Sequence, residues 1–425
     1  MKTPPSTWRA CRLDEIGSVG RGKSRHRPRN DPALYGGRYP FFQTGDVKAA
    51  DLHLHEYSQT YNEAGLAQSK LWETGTLCIT IAANIADTAI LRIRGCFPDS
   101  VVGFVADPAK ADVRFIKYFI DTIKLRMQNI SRGTTQDNLS LDKLLSFDFV
   151  IPAVEHQRKI ASVLSAYDDL IENNNRRIKI LEEMAQNLYR EWFVKFRFPG
   201  HENNRMVDSP LGEIPEGWEV KALEELCAGK KGIQTGPFGS QLHQADYTEQ
   251  GVPVVMPKNL LSYRIAVAGI ARIPEALAEE LVRHRMQPGD ICYGRRGDIG
   301  RRAFVAERQS GWLCGTGCLR IRPSLAAIEP RYLFDALGSP DTLGLIAGRA
   351  KGATMPNLNT SLMASVPVSV PPRDLMGRYV SQSELLAEMI EVLTEGNQNL
   401  RQTRDLLLPK LISGEVELRE DTTGE

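Results

Sequence analysis

The sequence predicts an α+β protein: a tandem repeat of two mixed α/β domains separated by two long antiparallel coiled-coil helices. Three observations carry that expectation. Blocks of sequence recur in order at a nearly constant offset. Each repeat ends in a long stretch with apolar residues at heptad spacing. The roughly 150 residues before each stretch mix alternating apolar patterns with short amphipathic ones. At 425 residues the chain is also too long for one hydrophobic core.

The repeat is read directly from matched residues. Trp8-x4-Leu13-Asp-Glu-Ile16 returns as Trp218-x4-Leu223-Glu-Glu-Leu226, and Gly75-Thr-Leu-Cys78 returns as Gly289-Asp-Ile-Cys292. Gly133-Thr-Thr-Gln-Asp-Asn-Leu139 returns as Gly352-Ala-Thr-Met-Pro-Asn-Leu358, and Pro152 returns as Pro371. The offset drifts only from 210 to 219 while order is kept, which chance would not preserve. A duplication of a unit of about 215 residues explains it.

Each repeat closes with a helix. From Glu155 to Val194 there is no Pro or Gly, and Ile160, Val163, Tyr167, Leu170, Ile178, Leu181, Met184 and Leu188 mark an apolar seam. Leu386, Met389, Leu393, Leu400, Leu407 and Leu411 mark the second, weakened by Gly396 and Pro409. Asn174 on the first seam has a counterpart in Asn397; a buried Asn on such a seam sets register at some cost in stability. A two-fold relation between the repeats makes these helices antiparallel and puts the domains at opposite ends of a rod. Two amphipathic helices, each packed on its own domain, are the bland alternative. Leu77, Ile79 and Ile81 alternate along a strand, with Ile291 and Tyr293 in the corresponding places. Phe115–Gln128 and Arg331–Ala347 read as short amphipathic helices. The expected order is a first domain (1–153), a helix (154–198), a linker (199–217), a second domain (218–372), a helix (373–412) and an acidic tail (413–425).

Composition excludes several classes. No apolar run reaches the roughly 18 residues that span a bilayer, and the first residues lack a signal-peptide core. Seven cysteines without paired metal spacing read as reduced thiols of a cytoplasmic protein. The net charge of +1 is unevenly spread: residues 1–30 carry eight Lys or Arg against two acids, and 283–302 carry six Arg against two Asp. Such clusters can form basic faces, although solvated surface charge explains either one alone.

Gly17-Ser-Val-Gly-Arg-Gly22-Lys23-Ser24 matches the phosphate-loop pattern literally. Its context fails, because no buried strand precedes it and RHRPRNDPALYGG cannot start a helix. The stretch instead suits a flexible loop whose Arg21, Lys23, Arg25 and Arg27 touch phosphates. Cys292 to Arg302 reads as a hairpin whose glycines turn and whose arginines, Arg295, Arg296 and Arg301 among them, project to contact bases or phosphates. The same place in repeat one, IAANIADTA, has no arginine. Lys230, Lys231 and Ser240 lie in or beside a glycine-rich loop with donors suited to DNA. Arg132, Gln136 and Lys351 lie beside Gly133, Asn138, Gly352 and Asn357, whose repetition suggests a structural role. His53-Leu-His55 could hold a metal, but no third ligand lies near in sequence, so none is expected. Adenine-methyltransferase, dinucleotide-binding, helicase and nuclease signatures are missing, and no catalytic residue and no cofactor are expected in this chain.

The stretch Pro152-x-x-Glu155-x-Gln157-Arg158-x-Ile160-Ala-x-Val-Leu164 opens a helix that runs to Trp192-Phe193-Val194. Together with Ser209-Pro-Leu-Gly-Glu-Ile-Pro-Glu-Gly-Trp218, Gly236-Pro-Phe-Gly-Ser-Gln-Leu242 and Ser131–Ser140, it resembles the specificity subunit of type I restriction–modification systems over nearly the whole chain. The resemblance implies two target-recognition domains, each reading one part of a split site in double-stranded DNA. It implies partnership with two methyltransferase subunits that use S-adenosylmethionine, and with restriction and translocase subunits. It implies that the helices act as spacer and docking surface, to which Trp192-Phe193 would belong unless packed under the following linker. Met355-Pro356 departs from the family pattern in the second repeat. Two rival readings are a P-loop ATPase with a coiled-coil insertion and a protein-only scaffold whose basic loops are merely solvated.

Overall fold

The structure is a computed structural model that describes residues 5–418 other than 6, 133–138, 240, 262, 297–299 and 350–357. Its contacts divide the chain into two compact units. One combines Met1–Arg176 with Thr394–Glu425, and the other is Arg177–Leu393. Both long helices are thus shared between units, a different division from the one that sets them apart as separate segments.

The first unit is built on a five-stranded sheet ordered Gly17–Arg21, Val101–Ala106, Leu77–Thr80, Thr88–Leu91 and His53–Leu54. All pairings are antiparallel except the last. All four residues of Leu77–Thr80 are buried, where alternation would expose every second one. The reason is that both faces are covered: Leu77 and Ile79 pack with Phe115 and Ile116, while Cys78 packs with Trp72 and Phe97. The helix expected at Phe115–Gln128 runs from Val113 to Arg132, and its first turn is capped by Asp112, whose carboxylate accepts from the Arg114 N–H at 2.9 Å.

A strand pair, Arg9–Cys11 with Phe149–Ile151, leads into the first long helix, Val154–Tyr189. Gln157, fully buried in its first turn, fixes the helix to the domain. Its amide donates to the Pro152 and Lys110 carbonyls and accepts from the Asp112 N–H. The end of the second long helix, Arg373–Ile412, returns to this unit, where Leu411 and Ile412 join the core around Leu13 and Phe115. Asp168, with no exposed side-chain surface, accepts from the Tyr118 hydroxyl and the Arg404 guanidinium. Asn174 donates to Asn397 at 2.9 Å, and Asn397 donates to Asn175 at 2.9 Å. As 168 and 174 rise, 404 and 397 fall, so these stretches run antiparallel.

Part of the expected seam is corrected. Leu170 and Met184 are about half exposed, and Met389 nearly so, whereas Ile171, Ala185 and Ile390 are buried. The inward face runs 164, 168, 171, 175, 178, 181, 185, 189, and it carries the polar Asp168 and Asn175. Leu and Met drew the sequence reading one position aside because hydrophobicity outweighed phase.

The second unit carries a four-stranded antiparallel sheet ordered Ile233–Thr235, Cys318–Ile321, Ile291–Gly294 and Arg302–Phe304. Three further strands, Ala271–Ile273, Val252–Val255 and Leu313–Cys314, flank it. The helix expected at Arg331–Ala347 is two, Pro330–Ala336 and Pro340–Arg349. Ser339 caps the second one and Pro340 takes its first position, where the missing N–H costs nothing. The strand pair Glu219–Ala222 with Pro367–Val370 precedes the second long helix. Trp192 and Phe193 are buried against Tyr379, with Tyr332 and Trp218 also packed on Phe193, and so do not form an open docking surface. Ile178 and Leu181 pack on Ile390, Leu386 and Leu393. Among the described residues, no helix is long and apolar enough to cross a membrane.

Candidate nucleic-acid interface

In the first unit, the residues that resemble a phosphate loop are an edge strand. Gly17–Arg21 pairs with Val101–Ala106 in full register, which excludes the strand–loop–helix geometry that cradles a nucleotide. The chain then turns across the end of the sheet. Gly22 has no room for a side chain, since a Cβ would stand 2.3 Å from the Phe97 and Pro98 carbonyls. Its N–H donates to Val101 and that of Lys23 to Phe97.

The following loop is tied down, contrary to the flexible loop expected. Gln68 Oε1 accepts from the Arg25 and His26 N–H groups, and Ser69 Oγ donates to the Lys23 carbonyl at 2.8 Å. Arg21 Nε donates to the Asp99 carbonyl, and Arg27 donates to the Ser24 and His26 carbonyls. These bonds bring Lys70 beside Lys23. Burial and the Lys23 charge both lower the Lys70 pKa. The Lys70 ammonium lies 3.5 Å from the Trp72 ring centre, and the ring rests on Gly20 and Gly103. Lys70 was missed in the sequence, where it is an isolated lysine; only the zipper to residues 23–26 reveals it.

The same end of the sheet holds the turn between Leu77–Thr80 and Thr88–Leu91, where Ile81 O accepts from the Leu139 N–H. Ala83 and Ala86 there have φ of 62° and 61°, a left-handed conformation unfavourable for alanine.

The second unit repeats this arrangement. The strand Ile291–Gly294 turns into Arg302–Phe304, with the Gly294 N–H donating to the Arg301 carbonyl at 2.7 Å. Arg295 O accepts from the Leu358 N–H, and its own N–H donates to Gly317. Arg296 is exposed, and Arg295 is half-buried, its pKa lowered by burial and by Arg296. Arg302 does not project from the hairpin. Its Nε donates to the Phe334 carbonyl at 2.8 Å, and the guanidinium lies over that ring. The loop after Ile233–Thr235 meets the same end, for a Cβ on Gly236 would stand 2.0 Å from Gly315 O.

The other expected residues are placed unevenly. Lys230 and Lys231 are exposed in a turn before Ile233, at the opposite end of the sheet from Arg295. The register decides this: Ile233 and Ile291 both face Ile321, and Arg295 lies beyond the other end of that strand. Arg132 ends the helix Val113–Arg132. Gln136, Ser240 and Lys351 lie outside the described residues, as do Gly133, Asn138, Gly352, Asn357, Met355-Pro356 and the hairpin tip 297–299.

A buried histidine supports this end of the second unit. His284 Nδ1 faces the Thr235 carbonyl at 3.0 Å and Nε2 accepts from Arg283 Nε at 2.9 Å, which fixes a neutral tautomer. Burial, then the Arg283 charge, brings its pKa down to about 4. Beneath the loops Cys292, Cys314 and Cys318 share a small core; the hydrogen bond with Cys292 and burial hold the Cys314 thiol well above its usual value. All seven cysteines are free and buried.

The third ligand not found near His53 in sequence is supplied by the first long helix. Among the described residues, His53, Asp169 and Glu172 are the one group of three at metal-ligand spacing. Glu172, however, already accepts from Arg92 at 2.7 Å and faces His53 at 3.1 Å, with Arg176 at 3.9 Å. Two guanidiniums beside the carboxylate disfavour a cation there, and the group reads as an ion-pair network.

Two sheet ends of like construction, each crossed by a basic loop or hairpin, have the charge and the exposed donors that nucleic-acid recognition uses. Residues 5–183 match the family described as the type I restriction modification DNA specificity domain. The chain is 24% identical over 428 residues to the specificity subunit of type I restriction enzyme MjaIX from Methanocaldococcus jannaschii, covering 98% of this chain and 95% of that protein. It is 21% identical to the HindI specificity subunit from Haemophilus influenzae, over 67% of this chain and 72% of the relative. The crystal structure of the type I restriction–modification S subunit from M. genitalium superposes with a TM-score of 0.58 at 17% identity, covering 95% of this chain and 96% of that one, and so shares the fold. Over nearly its whole length the chain is thus similar to type I restriction–modification specificity subunits, and its residues 5–183 match their DNA specificity domain.

Proposed function

We propose that this chain reads a bipartite site in double-stranded DNA, each unit reading one part, and so directs adenine methylation by partner subunits. The observation that carries this reading is the pair of matched sheet ends. In each, the backbone N–H of the residue after the recurring Gly-x-Thr-x-x-Asn sequence meets the central hairpin, Leu139 to Ile81 and Leu358 to Arg295. The polar groups mounted there differ: Arg21, Lys23, Arg25 and Arg27 in one, Arg295, Arg296 and Arg301 in the other. A shared frame with unlike donors is what reading two different base sequences requires, because bases are distinguished by donor and acceptor pattern.

The two units fit an origin by duplication, and the helices fit a pair that each unit holds through buried polar contacts. The partners proposed are two methyltransferase subunits using S-adenosylmethionine, joined by restriction and translocase subunits. The deciding experiment maps methylated adenines in cells with and without this gene. The expected result is loss of methylation at one split sequence in the deletion strain. Unchanged methylation, together with purified protein that shows no salt-dependent DNA affinity, would sink the proposal.

A further inference from the structure

The glycine-rich loop after Ile233–Thr235 presents Phe238, whose surface is 57% exposed. Single exposed apolar side chains are ordinary on protein surfaces, and exposure alone means little. The loop that carries this one is pinned on both sides. Gly236 sits so close to Gly315 that no side chain fits, and Thr316 Oγ donates to the Pro237 carbonyl at 2.9 Å. After the ring, the Gln241 side chain accepts from the Phe238 N–H at 3.4 Å and from Arg283 Nη2 at 3.1 Å. A phenylalanine on a loose loop could fold back onto apolar surface; a pinned loop holds the ring outward.

The surroundings point to what covers it. Gly317, next to the Thr316 that holds Pro237, accepts from the Arg295 N–H, so the loop and the arginine hairpin share one end of the sheet. Arg283, bonded to Gln241 of this loop, and Arg295 at the same end of the sheet, together with an exposed ring, suit a ligand with phosphates at its edge and flat apolar faces within, which is a nucleic acid. The corresponding place in the first unit holds Gly22 and Lys23, and its nearby aromatic, Trp72, is buried. Among the described residues, that place in the first unit carries no exposed ring.

We infer that Phe238 stacks on one DNA base in the half-site read by the second unit. This rests on the DNA-reading function proposed above and adds a base contact that depends on the ring's face, not on hydrogen bonds. In a duplex the base faces are covered, so the ring enters by wedging at one base step, and the stack supplies affinity and positioning against the cost of unstacking that step.

The test uses the full chain assembled with its modification subunits and a duplex bearing the site mapped in cells. Phe238→Ala should weaken binding roughly five- to a hundred-fold, the usual range for losing one base–aromatic stack, and Phe238→Trp should restore it. Removing bases one at a time, as abasic nucleotides, should then identify a single position where Phe238→Ala and the unaltered protein bind equally, because the stack is already lost. Thermal melting of Phe238→Ala should match the unaltered protein, since the ring lies largely outside the core. Equal binding of the alanine variant to intact duplex overturns the inference, and so does an undiminished penalty at every abasic position. In either case salt-dependent affinity of the unaltered complex would leave the DNA-reading proposal standing. Absence of any DNA affinity would remove both.

Discussion

The two sheet ends share a frame and differ in what they mount on it. In the first unit the central hairpin turns through Ala83 and Ala86 with no arginine, and positive charge comes from the exit of the edge strand and from Lys70. In the second unit the hairpin itself carries Arg295, Arg296 and Arg301, and the corresponding edge strand leads to Phe238. The apolar residues beneath are matched: Leu77 and Ile79 in one, Ile291 and Tyr293 in the other. The difference teaches that core packing fixes where the loops emerge and leaves their side chains free to vary.

The buried polar anchors of the two units differ in the same spirit, and they offer the largest test. Asp168 accepts from Tyr118 and Arg404, while Asp335 accepts from Tyr379 at 2.7 Å with Arg331 Nε at 3.4 Å, too poorly aligned for a hydrogen bond. Removing Asp335 strands the buried Arg331 guanidinium, at a cost of about 3–5 kcal/mol, whereas removing Asp168 leaves Arg404 its bonds to Asp405 and should cost less. Hydrogen exchange should therefore report lost protection in strands of the first unit for Asp168→Ala and of the second for Asp335→Ala. Uniform loss in both units for each variant would break the division into two.

Acid should separate the units next. With its pKa near 4, below the usual 6.5, His284 stays neutral in the folded state while the unfolded chain takes up a proton. Its contribution is complete above about pH 6.5 and is lost as pH falls towards 4, up to roughly 3 kcal/mol in the second unit. The melting of that unit should fall with pH in this window, and His284→Gln should flatten the fall. A profile unchanged by the substitution would place the acid sensitivity elsewhere.

Two smaller effects concern DNA. Arg295→Ala or Arg301→Ala should cost about 1–3 kcal/mol and relax base choice in one half-site if a guanine is read, or weaken all sequences alike if a phosphate is held. Measured affinities for single-base variants of the site separate these outcomes; no change in either mutant removes the hairpin from the interface. Lys70→Gln should do less. It should weaken binding to all sequences and lower the slope of log affinity against log salt by about 1, as Lys23→Ala should. ATP turnover by the assembled complex should not respond to Lys23→Ala, because residues 17–21 form an edge strand and not a nucleotide cradle.

What the sequence by itself determined was the part written in repetition and period. Order-preserving matches such as Trp8 with Trp218 pointed to two like halves, and a stretch free of Pro and Gly marked the first long helix almost to its ends. Asn174 and Asn397 were legible as a matched pair because an Asn among apolar residues stands out. The tertiary structure decided whatever depends on neighbours distant in the chain. Cover on both faces erased the alternation expected in Leu77–Thr80, and hydrogen bonds from Gln68 and Ser69 tied down a loop whose composition suggested freedom. Sheet register put Lys230 and Lys231 at the far end from Arg295, although all are basic residues beside glycine. Packing turned Trp192 and Phe193 inward and brought Asp169 and Glu172 to His53 across more than a hundred residues. Periodicity is local and survives in one dimension; contact between side chains is not, and it exists only once the chain has closed on itself.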